Sequence, residues 1–392
     1  MIKHLFKLIW NKKKENFLLI SEILVSFMVM FAVVTLIVHF YNNYSKPMGF
    51  DYENVWIVNM DTPFQSKDKD TLTMNHEALK NALRSMPKVK YVSYTSANTP
   101  FSNSMMTTGL SDKNKNIHVH TYNAEDEYLS VLDMKLVSGR WYSPADRAVA
   151  IKSIVINKAA AQELFGTIDV VGKVLGKKDE NRMKIIGVVE DFKDKGNFLA
   201  PDPSIYTRID TGNIRGINSL LIRVSPDADA AFESRVYKLI AGTQKDANLE
   251  IKHLTELRVA KNKEIIIPMV ILLVVSGFLI FNVALGLFGV LWYNISKRKG
   301  EIGLRRAIGA SAASVSWQLV GEALVLATFS LIVGTFFAIQ FPLLNVFDLE
   351  ASEYMTAIVL SNFFIYTLVL ICALYPGRQA AAIHPAVALH ED

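Results

Sequence analysis

The residues whose types could do chemistry are few, and their spacings decide against most of it. Gly172-Lys173 and Gly176-Lys177 look like pieces of a phosphate-binding loop. They are followed by Val174 and Lys178, where a Ser or Thr would be needed to hold magnesium, and no glycine precedes them at the right distance. His76-Glu77 begins like a zinc-protease helix, but that helix needs a second histidine where this chain has Lys80. His118 and His120 would share one face of a strand and could ligate a metal, yet no third ligand is evident. No Gly-x-Ser-x-Gly elbow occurs. The expectation is a chain with no catalytic residue, no metal site and no cofactor of its own.

What remains is a short basic stretch between two long apolar runs, residues 294–311, NISKRKGEIGLRRAIGAS. Lys297, Arg298, Lys299, Arg305 and Arg306 would each cost about 2.5–3.5 kcal/mol at the centre of a bilayer, so the stretch is a loop outside the lipid. Glu301 to Ile308 can form about two helical turns. Glu301 and Arg305 stand four apart, acid first, which favours that helix slightly. Ile302, Leu304, Ala307 and Ile308 are apolar residues that the membrane does not need. The spacing leaves two readings open: a helix resting on the headgroups, or an apolar patch for a protein partner.

The elements that position this loop are apolar runs. Of the 392 residues, 51% are hydrophobic, which is high for a soluble protein. The net charge of +5 is concentrated at residues 3–14 and 297–306, beside apolar runs, so it is topogenic charge and no nucleic-acid surface. The single cysteine, Cys372, excludes an internal disulfide. Residues 1–16 carry Ile2, Leu5, Phe6 and Ile9 at helical spacing, as in an amphipathic interfacial helix. Membrane spans are expected at 17–41, 265–293, 314–341 and 354–375, each near the ~20 residues that a bilayer requires. The first run is too long for a signal peptide and has no cleavage site after it, so it reads as an uncleaved anchor. Glu22, near its inner end, is expected to reach toward the headgroups.

In the second span, Asn282, Gly286 and Gly289 recur at four and three, a small-residue face that suits close helix packing or a second copy of the chain; ordinary glycine content of a membrane helix gives the same pattern. Glu322 lies two turns into the third span and is expected to pack against the cytoplasmic ends of neighbouring helices. No second acid or histidine accompanies it at that depth, which disfavours proton transport.

Residues 42–263 contain no spanning run and are long enough for their own core. Strand-like 54–60, helical 74–86 and strand-like 89–97 are mirrored by 219–225, 227–243 and 249–257. Two βαβ units at the two ends predict one split subdomain, with residues about 110–210 inserted as a mixed α/β subdomain. Within the insert, Asn157 is a helix N-cap and Gly166 its stop. The fold class is thus membrane α-helical with four transmembrane helices and a large α+β domain outside the cytoplasm. Basic flanks place both termini, the 294–313 loop and the 376–392 tail in the cytoplasm.

The wording of several segments adds a family. KRKGEIGLRRAIGAS closely resembles the RRxEIGLLRAxGAS segment of MacB/FtsX-type permeases of bacterial ABC transporters. Glu301, Ile302, Gly303, Leu304, Arg306, Ala307, Gly309 and Ser311 fall in order without a gap. WQLVGEALVLATFSLIVG resembles the family pattern after that segment. PGRQAAAIHPAVALHED resembles the family's cytoplasmic tail, with His390 in place of the usual Arg. LVSGRWYSPAD, SIVINKAAAQELFG, VVGKVLG and KIIGVVEDF resemble the MacB-like periplasmic core domain. In these segments Gly139, Phe165, Gly166, Gly172, Gly187 and Asp191 read as folding punctuation.

The resemblance implies that residues 301–309, Arg305 and Ile308 included, form a coupling helix docking on an ATPase. It further implies a porter-like split subdomain outside, and assembly of two permeases, copies or paralogues, with a cytoplasmic ABC ATPase dimer that binds the ATP and magnesium. MacB carries an ATPase ahead of its membrane part, and the resemblance covers only the permease half, so the motor is expected on another polypeptide of the inner membrane system. A periplasmic adaptor or lipoprotein partner, membrane lipids, and efflux or extraction of a peptide, antibiotic or lipoprotein-type substrate belong to the same expectation. FtsX proper has a smaller outer domain. The alternative is a membrane-anchored periplasmic ligand sensor, or a regulator of a cell-envelope enzyme. A sensor would need an output module, and no cytoplasmic stretch is long enough to fold as one.

Overall fold

The computed structural model describes residues 13–61, 68–112, 115–149, 151–176, 182–210, 214–244 and 247–381. Most of the expected amphipathic helix at 1–16, and residues 382–392 of the tail, lie outside the described residues. The chain divides into two compact units, residues 1–42 with 267–392, and residues 43–266.

In chain order the elements are α1 (Lys13–Ser45), β1 (Val55–Asp61), α2 (Lys69–Arg84), β2 (Val89–Ser96), β3 (Thr107–Asp112), β4 (Lys115–Ala124) and α3 (Tyr128–Val131). β5 (Leu136–Gly139), β6 (Lys152–Asn157), α4 (Lys158–Phe165), β7 (Val174–Leu175), β8 (Met183–Val189) and β9 (Ser204–Arg208) follow. Then come β10 (Ile217–Val224), α5 (Ala230–Thr243), β11 (Asn248–His253), α6 (Leu254–Lys297), α7 (Lys299–Ala307), α8 (Ala312–Leu343) and α9 (Ala351–Ala381).

Residues 43–266 form an α+β unit on one mixed sheet, ordered β11-β1-β10-β2-β4-β9-β6-β8-β5, with β3 paired to β4 and β7 to β8. Its first four strands are antiparallel neighbours. With α2 following β1 and α5 following β10, they make the split βαβ arrangement read from the sequence, a ferredoxin-like unit. β1 shows why: Trp56, Val58 and Met60 enter the core under α2 and α5 with Leu79, Leu83, Phe232 and Val236, while Val55 and Ile57 enter the opposite core. Alternation on a strand buried on both faces gives this result. Asp68 caps α2 by accepting from the amides of Asp70 and Thr71, and Asp229 caps α5 by accepting from Phe232 at 2.9 Å.

The insert leaves after β2 and returns at β10, slightly wider than 110–210, because β3 and the segment before it also belong to it. Its own core forms where α4 lays Ala160, Ala161 and Leu164 on Ile154, Ile156, Ile185 and Val188. As read from the sequence, Asn157 accepts from the Ala160 amide at 3.0 Å, and Gly166 ends α4 with φ +70°. Insert and ferredoxin-like part share a single ladder pair, Thr95 with Ala124. Beyond it, the outer edge of β2 is satisfied by carboxylates. Glu125 accepts from the Tyr94 amide at 2.9 Å and Glu127 from the Val92 amide at 3.2 Å. Lys80 and Arg84 of α2 hold those two carboxylates at 2.9 and 2.5 Å. The joint is therefore made of side chains where a strand would otherwise run.

Lys193 is 2% exposed, and its ammonium donates to the backbone carbonyls of Asn43, Lys46 and Asn197. Burial, with a smaller contribution from the charge of Lys46, pushes its pKa down to about 8. Residues 249–257 do not form one strand: β11 ends at His253 and α6 begins at Leu254. Leu254 and Leu257 stand three apart and both enter the core, so helical spacing overrides alternation there.

Among the described residues, four helices are long and apolar enough to cross a membrane, with segments at 17–45, 254–297, 312–343 and 351–379. Their shared core follows a stripe of period four on α1, Leu19, Ile23, Phe27 and Phe31, packed with Leu287, Ala327, Leu331, Ile358 and Ile365. At Gly334 of α8 a side chain would come within 2.5 Å of the Phe27 ring, so the absent Cβ sets that approach. α9 continues through Pro376 to Ala381 and does not stop at the proline as the sequence predicts. Proline removes one helix donor, a loss that a packed membrane helix tolerates, and Gly377 lies close against Ser316 of α8 there.

Candidate coupling site

α7 is nine residues long, and each face has a different environment. Ile302 is 5% exposed and packs with Ile295 and Val315, beside Ala310 and Leu319. Gly303 is buried next to it. Leu304 is 55% and Ile308 79% exposed, and Ala307 between them is exposed too. Residues 304, 307 and 308 lie on one side of a helix, so an apolar patch points away from the chain. Ile302, expected from the sequence as a flanking contact for a partner, packs instead against the chain's own helices.

A closed ring of polar side chains fixes the helix. Arg298 donates to Glu301 at 3.1 Å and to Glu322 at 2.8 Å. Gln318 donates to Glu322 at 3.3 Å and accepts from Arg305 at 2.7 Å. Arg305 returns to Glu301 at 2.6 Å, the i,i+4 pair read from the sequence. Glu322, 21% exposed, thus has two partners: Arg298, the residue before α7, which ties α8 to α7, and Gln318 one turn back on α8 itself. Arg298 and Gln318 were not among the candidate residues, although their spacing to Glu301 (three) and Glu322 (four) carries the signal. Arg306 makes no ion pair among the described residues and stands near the helix C-terminus, where a cation is favoured.

The Gly309-Ala310-Ser311 turn has a separate job for each end. Gly309 takes φ +99° and the Ala310 amide bonds back to the Arg305 carbonyl, which stops α7. The Ser311 side chain then accepts from the Ser314 amide at 3.2 Å and starts α8.

The other predicted face splits. Gly286 of α6 lies directly against the Glu22 carboxylate of α1, which occupies the space a Cβ would take. Glu22 therefore does not reach for the headgroups; its Oε2 is buried without a hydrogen bond. Asn282 and Gly289 are exposed, Asn282 bonding only to the Phe278 carbonyl one turn back, at 2.7 Å. In the outer unit, His120 lies 3.7 Å from Asp194 and 3.8 Å from Asp202, and His118 is exposed. Among the described residues no cluster of three or more His, Cys, Asp or Glu could hold a metal.

Comparison with known proteins matches this architecture. The family model of the MacB-like periplasmic core domain matches residues 17–238, and that of the FtsX-like permease C-terminal region matches residues 273–385. The macrolide export ATP-binding/permease protein MacB of Neisseria gonorrhoeae is 25% identical over 326 residues, covering 76% of this chain and 47% of that protein. Its namesake from Bdellovibrio bacteriovorus is 22% identical over 293 residues, covering 71% and 45%. The chain spans about half the length of the curated relatives it matches. The solved periplasmic region of MacB from Actinobacillus actinomycetemcomitans aligns with 56% of this chain and 97% of that one, at 16% identity and a TM-score of 0.40. The extracellular domain of the noncanonic ABC-type transporter YknZ from Gram-positive bacteria aligns with 50% and 99%, at 15% identity and a TM-score of 0.35. This chain belongs to the MacB-like periplasmic core domain family with an FtsX-like permease region, and is a membrane protein of the ABC transporter permease class.

Proposed function

We propose that this chain is the permease subunit of a MacB-like transporter, in which a separate cytoplasmic ABC ATPase dimer docks on α7 and drives movement of the domain outside. The observation that carries this is the division of α7 into a fixed face and a free one. Ile302 and the Arg298–Glu301–Arg305–Gln318–Glu322 ring hold one face, while Leu304 and Ile308 are left exposed on a charged helix. Burying the two in a partner's pocket contributes about 1.5–3 kcal/mol each, and a few such residues usually carry an interface. A partner that binds ATP and magnesium supplies the hydrolysis; this chain supplies a rigid handle.

Displacement of that handle reaches α6 and α8 directly, because Arg298 follows the last residue of α6 and Glu322 lies on α8. α6 spans Leu254, the residue after β11, to Lys297, with Pro268 inside it. In this reading the chain works in the bacterial cytoplasmic membrane with both termini inside, alongside a second permease copy or paralogue. The substrate is taken up outside the membrane and belongs to the peptide, antibiotic or lipoprotein type; a periplasmic adaptor or lipoprotein is a further partner. Photo-cross-linkers placed at Leu304 and Ile308 in cells should capture an ABC ATPase, identified by mass spectrometry. Cross-links to lipid alone at both positions would reduce α7 to an interfacial helix and end the proposal.

A further inference from the structure

The outer α+β unit holds a groove of about 1660 Å³ between α2 and the insert. Three features of its walls bear on what it could take. β3 lines it with Thr108, Gly109, Ser111 and Asp112, and among the described residues β3 pairs only with β4, with no strand hydrogen-bonded to its other edge. Thr107, Thr108 and Gly109 are exposed along that strand. An unpaired edge offers main-chain donors and acceptors to an added strand.

His76 of α2 also lines the groove. Its ring stacks on Tyr94 at 4.2 Å, and burial, with a smaller effect of the Lys80 charge, pushes its pKa down to about 4. The imidazole is neutral at physiological pH, and neither ring nitrogen has a hydrogen-bond partner among the described residues. The hydroxyl of Tyr94, the ring it stacks on, is buried and unpartnered. A neutral imidazole with both nitrogens open can donate one hydrogen bond and accept another.

The charges decide the ligand class. Among the described residues, acidic and basic side chains line the groove in equal number. Most of these pair locally, as in Lys80–Glu125, Arg84–Glu127 and Arg208–Asp126. Their charges together offer no net attraction to a free ion. A largely apolar molecule would strand those charges in a dry interface. The volume exceeds the ~300–1,000 Å³ usual for small-molecule sites. The Glu77–Arg147 pair, 3.6 Å between two exposed side chains, joins α2 to the turn at 144–148, and such a pair is easily displaced.

We infer that this groove binds an extended polypeptide segment, which adds to the free edge of β3 and hydrogen-bonds to His76. The site belongs to the outer unit alone and its test needs no ATPase, so it stands or falls separately from the docking of α7.

The test uses the full chain in nanodiscs and a displayed library of short random peptides as the probe. Selected peptides are synthesised with a fluorophore and titrated by anisotropy, and backbone hydrogen exchange is followed by mass spectrometry. The inference predicts binders that slow exchange at residues 107–112. It predicts that His76→Phe, which keeps the stack on Tyr94 but removes both nitrogens, weakens them about tenfold. Met74→Ala, on the same helix outside the groove, should leave binding unchanged. Failure to obtain a binder, unaltered exchange at 107–112, or full affinity for His76→Phe would each overturn it.

Discussion

Arg298 donates to Glu322 at 2.8 Å, from the residue before α7 to the third turn of α8, with side chains only 16% and 21% exposed. The acid, costly in a membrane span, is thereby paired with the residue just before α7. Removing Arg298 leaves Glu322 with the neutral Gln318 alone, whereas replacing both by apolar groups leaves no half-paired charge between them. Arg298→Met should destabilise the membrane unit by about 2 kcal/mol, and Arg298→Met with Glu322→Met should recover most of it. Thermal unfolding of the purified variants in detergent checks this. Additive losses would mean that the two side chains do not act as a pair.

Gly286 and Glu22 make the second prediction. Because the carboxylate occupies the space a Cβ would take, Gly286→Leu must displace Glu22 or push α6 from α1. The expected result is a loss of about 1–3 kcal/mol, the usual cost of overpacking. Adding Glu22→Ala should return much of it by vacating the space. No rescue in the double variant would place the strain elsewhere.

The outer unit gives a pH prediction. Asp146 accepts from Arg140 at 2.6 and 2.7 Å, from the Ser143 amide at 2.9 Å and from the Ser153 hydroxyl at 3.1 Å. The Arg140 hydrogen bonds, and then those from Ser143 and Ser153, hold its carboxyl well below the usual carboxylate range. A carboxylate depressed in the folded state stabilises it fully above the unfolded value near ~4 and loses that contribution as pH falls through the folded value. Asp146→Asn should therefore cost about 2 kcal/mol at pH 7, and the difference from the unmodified chain should shrink on acidification below about pH 4. Urea unfolding across pH, followed by tryptophan fluorescence, measures it. A difference that stays constant with pH would rule out the charge as its source.

Orientation across the membrane is tested by labelling. With Cys372 replaced, Asp169→Cys in the outer unit and Lys299→Cys on α7 should react with an impermeant maleimide from opposite sides of the bilayer. Both positions are exposed. Labelling from one side only would contradict the arrangement argued from the basic flanks.

Much of this fold was legible because its signals are local. Apolar runs of membrane length, the cap at Asn157, the stop at Gly166 and the alternation in β1 each depend on residues close in sequence. The split subdomain was legible too, since its two βαβ halves repeat one pattern. What escaped depends on partners far along the chain. β3, β5 and β9 are short or only partly buried and gain their identity from β4, β6 and β8. At the coupling site, Glu301–Arg305 follows from spacing, but the choice between inward Ile302 and outward Leu304 and Ile308 is made by Ile295 and Val315 on the flanking helices. Glu22 was misplaced for the same reason, because its destination is a glycine on another helix, some 260 residues away in sequence.

The docking role of α7 depends on whether its exposed face receives a protein. The most direct measurement is co-purification of the cognate ABC ATPase with the chain carrying Ile308→Asp, compared with Lys299→Ala and the unmodified chain. A carboxylate forced into an apolar pocket costs several kcal/mol, and Ile308 makes no core contact within the membrane unit, being 79% exposed. Ile308→Asp should therefore insert and fold as before, yet lose the ATPase by about a hundredfold or more in affinity, while Lys299→Ala changes it little. Normal ATPase binding and transport by Ile308→Asp would contradict the docking role assigned to α7.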